Sequence, residues 1–137
     1  MSEIIDFLAK CQTFYVSTVD ESNKPKVRPF GFVMEWNGKP AFSTGTIKKV
    51  YSQLQNNPNI EICAYMPDSM QWMRVSGTVK FTDDMAAKRK ILEAMPFLKE
   101  FYKSEDNPVL ACFYLDEGEA SFYSFASMSE PEKTIKI

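Results

Sequence analysis

The sequence predicts a mainly-β fold, a closed or split antiparallel barrel of six or seven short strands with about three flanking helices. Short runs rich in β-branched and aromatic residues recur along the chain, separated mostly by turn-forming residues. Helical periodicity is confined to three short segments, too few to alternate regularly with the strands as a Rossmann fold requires. The G-x-G-x-x-G and Walker A patterns of nucleotide-binding α/β folds do not occur.

The N-terminal part is predicted to contain one helix followed by three strands, at residues 2–10, 13–19, 26–36 and 40–43. Asn37-Gly38 is a strong hairpin signal between the second and third strands. Within the second strand, the alternation of apolar positions changes across Pro29 and Gly31. Proline cannot donate a hydrogen bond to a neighbouring strand, so this segment is expected at an edge or a bulge.

The rest of the chain is predicted to supply a helix, two strands, another helix, a hairpin and a short final strand, at residues 46–55, 60–65, 71–82, 83–94, 109–125 and 133–137. Apolar residues spaced i, i+3, i+4, i+7 indicate the first of these helices, which Asn57-Pro58 ends. The hairpin is expected to turn at residues 116–119, where acidic residues flank a glycine.

Length and charge limit the possible roles. The 137 residues are the size of one domain, so we expect residues 1–137 to form a single unit. A net charge of −2 gives no general attraction to nucleic acid or to anionic membranes. The longest apolar runs are far shorter than the roughly 20 residues that cross a bilayer. The acidic N-terminus is unlike a signal peptide, so a cytoplasmic location is expected.

The chain contains no histidine, which excludes Ser-His-Asp and Cys-His nucleophile systems and most transition-metal sites. Its three cysteines, Cys11, Cys63 and Cys112, are widely separated and predict free, buried thiols rather than disulfides or zinc ligands. No metal site is therefore expected. An enzyme with this composition would take its chemistry from an organic cofactor.

A candidate phosphate site lies where the third strand meets the following helix. Ser43, Thr44 and a glycine form the turn, and Lys48 and Lys49 are predicted in the first helical turn. Helix N-termini present unpaired N–H groups and a partial positive charge, so an anion would relieve the repulsion between that charge and two lysines. The alternative is that both lysines are ordinary solvated surface residues.

A second basic cluster lies on the preceding strand. Lys26 and Arg28 alternate and so share one face, next to Pro29 and Phe30. The Arg28 guanidinium could reach a phosphate or the carbonyl edge of a flavin ring. The alternative is an edge strand that uses positive charge against aggregation. Trp72 could likewise wall an aromatic cofactor or be an ordinary core or interface residue.

In this order, the segments resemble the pyridoxamine 5'-phosphate oxidase-like family of flavin-binding split barrels over nearly the whole chain. The resemblance is carried by residues 13–20, 25–31, 42–44, Lys48, Lys49, Asn57-Pro58, 72–77 and 122–125. The last segment is similar to the closing strand of a short subgroup related to nitroimidazole-resistance flavoproteins.

The resemblance implies a split Greek-key barrel that binds flavin mononucleotide (FMN) at the interface of a homodimer. By the same resemblance, Arg28, Lys48 and Lys49 would hold the phosphate, and Ser43 and Thr44 would supply polar contacts.

The resemblance also assigns residues to the rest of the cofactor. Lys26, Pro29 and Phe30 would lie along the ribityl chain and ring. Trp72 would border the cofactor of its own or of the partner subunit.

Two departures from the family narrow the expected reaction. Residues 129–137 lack the Arg/His-rich segment with which the oxidases bind their product, so oxidation of pyridoxamine phosphate is not expected. The histidine used by many nitroimidazole-resistance and haem-handling relatives is missing as well.

The sequence therefore predicts an FMN-dependent oxidoreductase that passes hydride between a nicotinamide donor and a small molecule. The alternatives are a flavin-sensing module without turnover, a split barrel that binds a deazaflavin, and an interaction protein with an empty site.

Overall fold

Eight strands and four α-helices occur within residues 2–137, the part of the chain that this computed structural model describes. The strands are β1 (Phe14–Val19), β2 (Pro25–Phe30), β3 (Met34–Trp36), β4 (Lys39–Gly45), β5 (Asn59–Met66), β6 (Gln71–Thr82), β7 (Leu110–Tyr123) and β8 (Lys133–Lys136). The helices are α1 (Ser2–Cys11), α2 (Lys49–Asn56), α3 (Met85–Ala94) and α4 (Lys99–Tyr102). None of these helices is long and apolar enough to span a membrane.

All neighbouring strands pair antiparallel in the order β2-β1-β5-β6-β7-β4-β3, with β8 added beside β7. The two ends of this sheet curve toward each other. The ring of Phe30 on β2 lies 6.5 Å from that of Phe42 on β4 and 5.9 Å from that of Phe113 on β7. Among the ladders formed by residues 2–137, none joins β2 to β4 or β7. The sheet is therefore a split barrel, as predicted.

Aromatic packing sets the distance between the two ends of the split sheet. Phe14, Phe42 and Phe113 are fully buried, and Phe30 packs against all three. Burying one such side chain contributes about 1.5–3 kcal/mol. Helix α1 covers this core with Ile4 and Leu8, which are also fully buried. The cluster thus fixes β2 against β4, the two strands that carry most of the predicted site residues.

The prediction of one strand over residues 26–36 is wrong. The chain forms β2 at one end of the sheet, leaves it after Phe30, and forms β3 at the other end. The change in apolar alternation near Gly31 marks this crossing rather than a bulge inside one strand. The expectation of an edge position is confirmed for β2, and Asn37 (φ 50°) and Gly38 (φ 78°) form the predicted hairpin between β3 and β4.

The prediction of a hairpin over residues 109–125 is also wrong, because β7 runs unbroken through the expected turn. The long strand β6 pairs with it on both sides of a bulge at Thr78/Val79. Gly77 and Gly118 face each other there, and a Cβ on Gly77 would lie 2.2 Å from the carbonyl oxygen of Glu117. The glycine allows close strand contact instead of a reversal.

The expectation of three buried thiols holds for one cysteine. All three are free, with Cys112 buried, Cys11 partly buried and Cys63 exposed. Cys63 faces outward because it alternates with the buried Ile62 and Ala64 on β5.

Candidate functional site

Six of the nine predicted site residues line one cavity of about 600 Å³. They are Arg28, Pro29, Phe30, Ser43, Thr44 and Lys48. The split of the barrel makes this possible, since β2 and β4 approach each other there without pairing. The rest of the wall comes from Gly31, Phe32, Val50 and four side chains between residues 94 and 98, together with Tyr102.

Two further predicted residues, Lys26 and Lys49, line a neighbouring cavity of about 510 Å³. Arg28 belongs to both cavities. The Lys26 ammonium lies 3.9 Å from the carboxylate of Asp20 and is partly neutralised by it. The predicted basic residues are thus divided between two cavities, which share Arg28.

Arg28 is held by neighbouring elements on two sides. Its Nη1 donates to the carbonyl oxygen of Val16 (3.1 Å) and to Oγ1 of Thr18 (2.8 Å), both on β1. Its Nη2 donates to Oε1 of Gln53 on α2 (2.8 Å). A guanidinium has five N–H donors, so donors remain available to a ligand.

The charge of Arg28 has no carboxylate partner among the described residues, whereas the two other arginines are paired. Arg74 lies 2.6 Å from Glu61, and Arg89 lies 3.1 Å from Glu105. Partial burial lowers the pKa of Arg28, but a guanidinium stays protonated in proteins. The cavity therefore carries a fixed, uncompensated positive charge.

Thr44 contributes a buried hydroxyl with no partner in the described part of the chain. Its side chain is 5% exposed, and Oγ1 makes no hydrogen bond within residues 2–137. Such a group costs about 1–3 kcal/mol, so buried hydroxyls are normally paired. Thr44 lines the cavity, so a bound group that reached Oγ1 would relieve this cost.

Helix α2 begins three residues later than predicted, at Lys49, and Lys48 occupies the N-cap position. Lys48 has an extended backbone and makes no side-chain capping bond. The first N–H groups of the helix are thus left without a side-chain acceptor. Neither Lys48 nor Lys49 forms an ion pair in the described part of the chain.

The sequence reasoning missed the wall that α4 and the segment before it supply. Met95, Phe97 and Leu98, which join α3 to α4, line the cavity together with Tyr102 of α4. A Cβ on Gly45 would lie 3.2 Å from the Tyr102 hydroxyl, so Gly45 allows the phenol to approach β4. Burial raises the pKa of Tyr102, which keeps the phenol protonated at neutral pH. No local motif marks these residues, because they reach the site only through tertiary packing.

Trp72, the ninth predicted residue, does not line this cavity in its own chain. It belongs to a cleft of about 360 Å³, where its ring stacks on Tyr123 at 5.5 Å and 7°.

A family model described as pyridoxamine 5'-phosphate oxidase matches residues 1–113. The chain belongs to this family. Its fold agrees with a NimC/NimA family protein from Clostridium acetobutylicum, which is 35% identical with a TM-score of 0.89 over 100% of this chain and 93% of that one. No curated protein sequence matches.

Two more distant structures share the fold of this pyridoxamine 5'-phosphate oxidase family member. A pyridoxamine 5'-phosphate oxidase-related, FMN binding protein from Nostoc punctiforme is 17% identical, with a TM-score of 0.75 over 98% of this chain and 87% of that one. General stress protein 26 from Bacillus anthracis is 16% identical, with a TM-score of 0.77 over 99% and 97%.

The cavity fits a flavin nucleotide on its own chemistry. Its volume lies within the roughly 300–1,000 Å³ of small-molecule and cofactor pockets. A guanidinium without a carboxylate partner, a lysine and a hydroxyl without a partner in the described part of the chain suit a phosphate, and the apolar side chains between α3 and α4 suit a flat ring.

Proposed function

We propose that this protein binds FMN in the cavity between β2, β4 and α4 and acts as a homodimeric oxidoreductase on a small molecule. The observation that carries the proposal is that one cavity is lined both by Arg28, whose charge has no carboxylate partner, and by Thr44, whose hydroxyl has no partner among the described residues. Polar groups left unsatisfied in this way are costly unless a ligand completes them.

The phosphate would be held at the positive end of the cavity. Arg28 would donate charge-assisted hydrogen bonds, Lys48 would add a mobile ammonium, and Thr44 would add a hydroxyl. The N-terminal N–H groups of α2 also favour an anion here. Lys49 and Lys26, which line the adjoining cavity, would act mainly through their longer-range field.

The flavin ring would occupy the apolar end. Phe32, Met95, Phe97 and Leu98 give that side of the cavity an apolar lining. The Phe30 ring is committed to the core cluster, so Phe30 would contact the cofactor with its remaining surface. Ser43 would offer a polar contact beside these apolar walls.

The second subunit would cover the outer face of β1, β5 and β6. Tyr15 and Tyr65 are 51% and 45% exposed on this face, and Val27 on the neighbouring β2 is 67% exposed. Aromatic residues are enriched in protein interfaces. Pro29 pairs with Tyr15 and also lines the cavity, so this face is continuous with the cofactor site.

Bound FMN would supply hydride exchange with a nicotinamide donor and with the substrate. Because Arg28 would hold the phosphate, Arg28 and Lys26 would stabilise negative charge on the reduced ring only through their longer-range field. Tyr102 offers the cavity a protonated phenol that makes no side-chain hydrogen bond among the described residues.

Anaerobic titration of the FMN-loaded protein with NADH and with NADPH tests the reaction. We expect one of them to bleach the flavin absorbance, and a small quinone or nitro compound to restore it. If the flavin stays bound but neither donor reduces it, the protein is a flavin-sensing module without turnover. Protein that rejects FMN but retains a deazaflavin would reassign the cofactor.

A further inference from the structure

Gln53 on α2 and Thr18 on β1 form a polar network around Arg28. Oε1 of Gln53 lies 2.8 Å from Nη2 of Arg28 and 2.5 Å from the hydroxyl oxygen of Thr18. Thr18 Oγ1 also accepts from Arg28 Nη1 at 2.8 Å. Each of the three side chains thus contacts the other two. Thr18 is 1% exposed, so the network is anchored in the protein interior.

Hydrogen-bond chemistry fixes every role in this network. Arginine can only donate, so the amide oxygen of Gln53 must face it. That oxygen only accepts, so Thr18 must give it the hydroxyl proton. Thr18 can then only accept from Arg28. The arrangement has a single consistent orientation, which holds the guanidinium in one place between the two cavities.

The neutrality of this network matters as much as its geometry. Glutamine and threonine orient Arg28 without cancelling its charge, whereas Glu61 neutralises Arg74. Gln53 also follows Lys49 by four residues on α2, so the two lie on one face of the helix, and both line the second cavity. A carboxylate in place of this amide would meet two cations and remove much of the positive field.

We propose that Gln53, with Thr18, is a positioning residue that presents Arg28 to the phosphate of the cofactor with its charge intact. The inference rests on the proposed FMN site. Its consequence is selectivity, because the network favours FMN over riboflavin, which has the same ring and no phosphate.

The test compares FMN and riboflavin dissociation constants for the full-length wild type and for Gln53→Glu. This substitution replaces the side-chain NH2 group with an oxygen and keeps the shape of the side chain. We expect Gln53→Glu to weaken FMN binding by about tenfold, the effect of ~1.4 kcal/mol. Riboflavin binding should not change. The melting temperature of the cofactor-free variant should be equal or higher, because a carboxylate would pair with Arg28 and Lys49.

Two variants of Thr18 provide the matched control. Thr18→Val removes the hydroxyl and should weaken FMN binding selectively, and Thr18→Ser, which keeps the hydroxyl, should restore it. Wild-type FMN affinity in both Gln53→Glu and Thr18→Val would overturn the inference, as would equal losses of FMN and riboflavin. A wild-type protein that does not prefer FMN to riboflavin would instead refute the proposed site itself, before any variant is compared.

Discussion

The cavity at β2 and the cleft at Trp72 both contain residues that sequence reasoning singled out, and they differ in whether their polar groups are satisfied. In the cleft at Trp72, Lys133 pairs with Glu3, and the Ser124 hydroxyl donates to Glu132. In the cavity at β2, Arg28 has no carboxylate partner and Thr44 has no partner at all within residues 2–137.

The difference indicates which region is built for an anion. Satisfied ion pairs and stacked rings gain little from a charged ligand, but an unpaired cation beside an unpartnered hydroxyl gains much. Aromatic character alone does not separate the two regions, since both contain phenylalanine and tyrosine. We therefore expect cofactor binding at β2. Trp72 pairs with Tyr65 on β5, so it belongs instead to the face proposed for subunit contact.

The largest effect should come from Arg28→Ala. Loss of charge-assisted hydrogen bonds should weaken FMN binding by about 100-fold, or ~2.7 kcal/mol. The matched control is Arg89→Ala, because Arg89 pairs with Glu105 and neither residue lines the cavity; this variant should bind FMN normally. Fluorescence titration measures both. Equal losses in the two variants would mean that overall charge, not the site, controls binding.

Trp72→Ala should weaken the dimer, because aromatic residues central to an interface commonly contribute at least ~2 kcal/mol, or about 30-fold. Sedimentation velocity across a dilution series measures the change. Phe101→Ala serves as a control, because Phe101 is 75% exposed but lies on α4. If Phe101→Ala weakens dimerisation and Trp72→Ala does not, the interface lies at α4 instead of near Trp72.

Comparison of Lys48→Ala with Lys49→Ala tests which of the two cavities holds the phosphate. Lys48 lines the cavity that contains Thr44, and Lys49 lines the neighbouring one. We expect a loss of about tenfold in FMN affinity for Lys48→Ala and a smaller loss for Lys49→Ala. The reverse order, measured by the same titration, would assign the phosphate to the second cavity. Both variants should keep the oligomeric state of the wild type.

Thr44→Val should have the smallest and most specific effect. Removing the hydroxyl should weaken FMN binding by about threefold, within the net range of one neutral hydrogen bond. The same change should raise the melting temperature of the cofactor-free protein, because an unpartnered buried hydroxyl is destabilising. Thr44→Ser, which keeps the hydroxyl, is the control. A stability loss in Thr44→Val would show that the hydroxyl has a partner within the protein.

Period-two patterns and turn signals predicted most strands, and the bounds of β6 match the expected 71–82. The errors occurred where pairing across the sheet overrides local signals. The acidic, glycine-containing segment at 116–119 has turn chemistry, but β6 is long enough to pair along both sides of it. Likewise, nothing local shows that β2 and β3 lie at opposite ends of the sheet.

The site shows the same limit. Lys48 and Thr44 could be found because they lie next to a strand-to-helix junction, which is a local feature. Tyr102 reaches the cavity through the packing of α4, and Gln53 meets Arg28 across 25 residues of sequence. Such contacts depend on the complete fold, so no short motif could reveal them.

The most direct test of the central claim is the visible absorbance spectrum of the wild-type protein, saturated with FMN and then desalted. The account predicts that the flavin bands remain, with one FMN per chain, and that riboflavin treated in the same way is lost. Protein that emerges colourless after FMN saturation would contradict the assignment of the β2 cavity as a flavin nucleotide site.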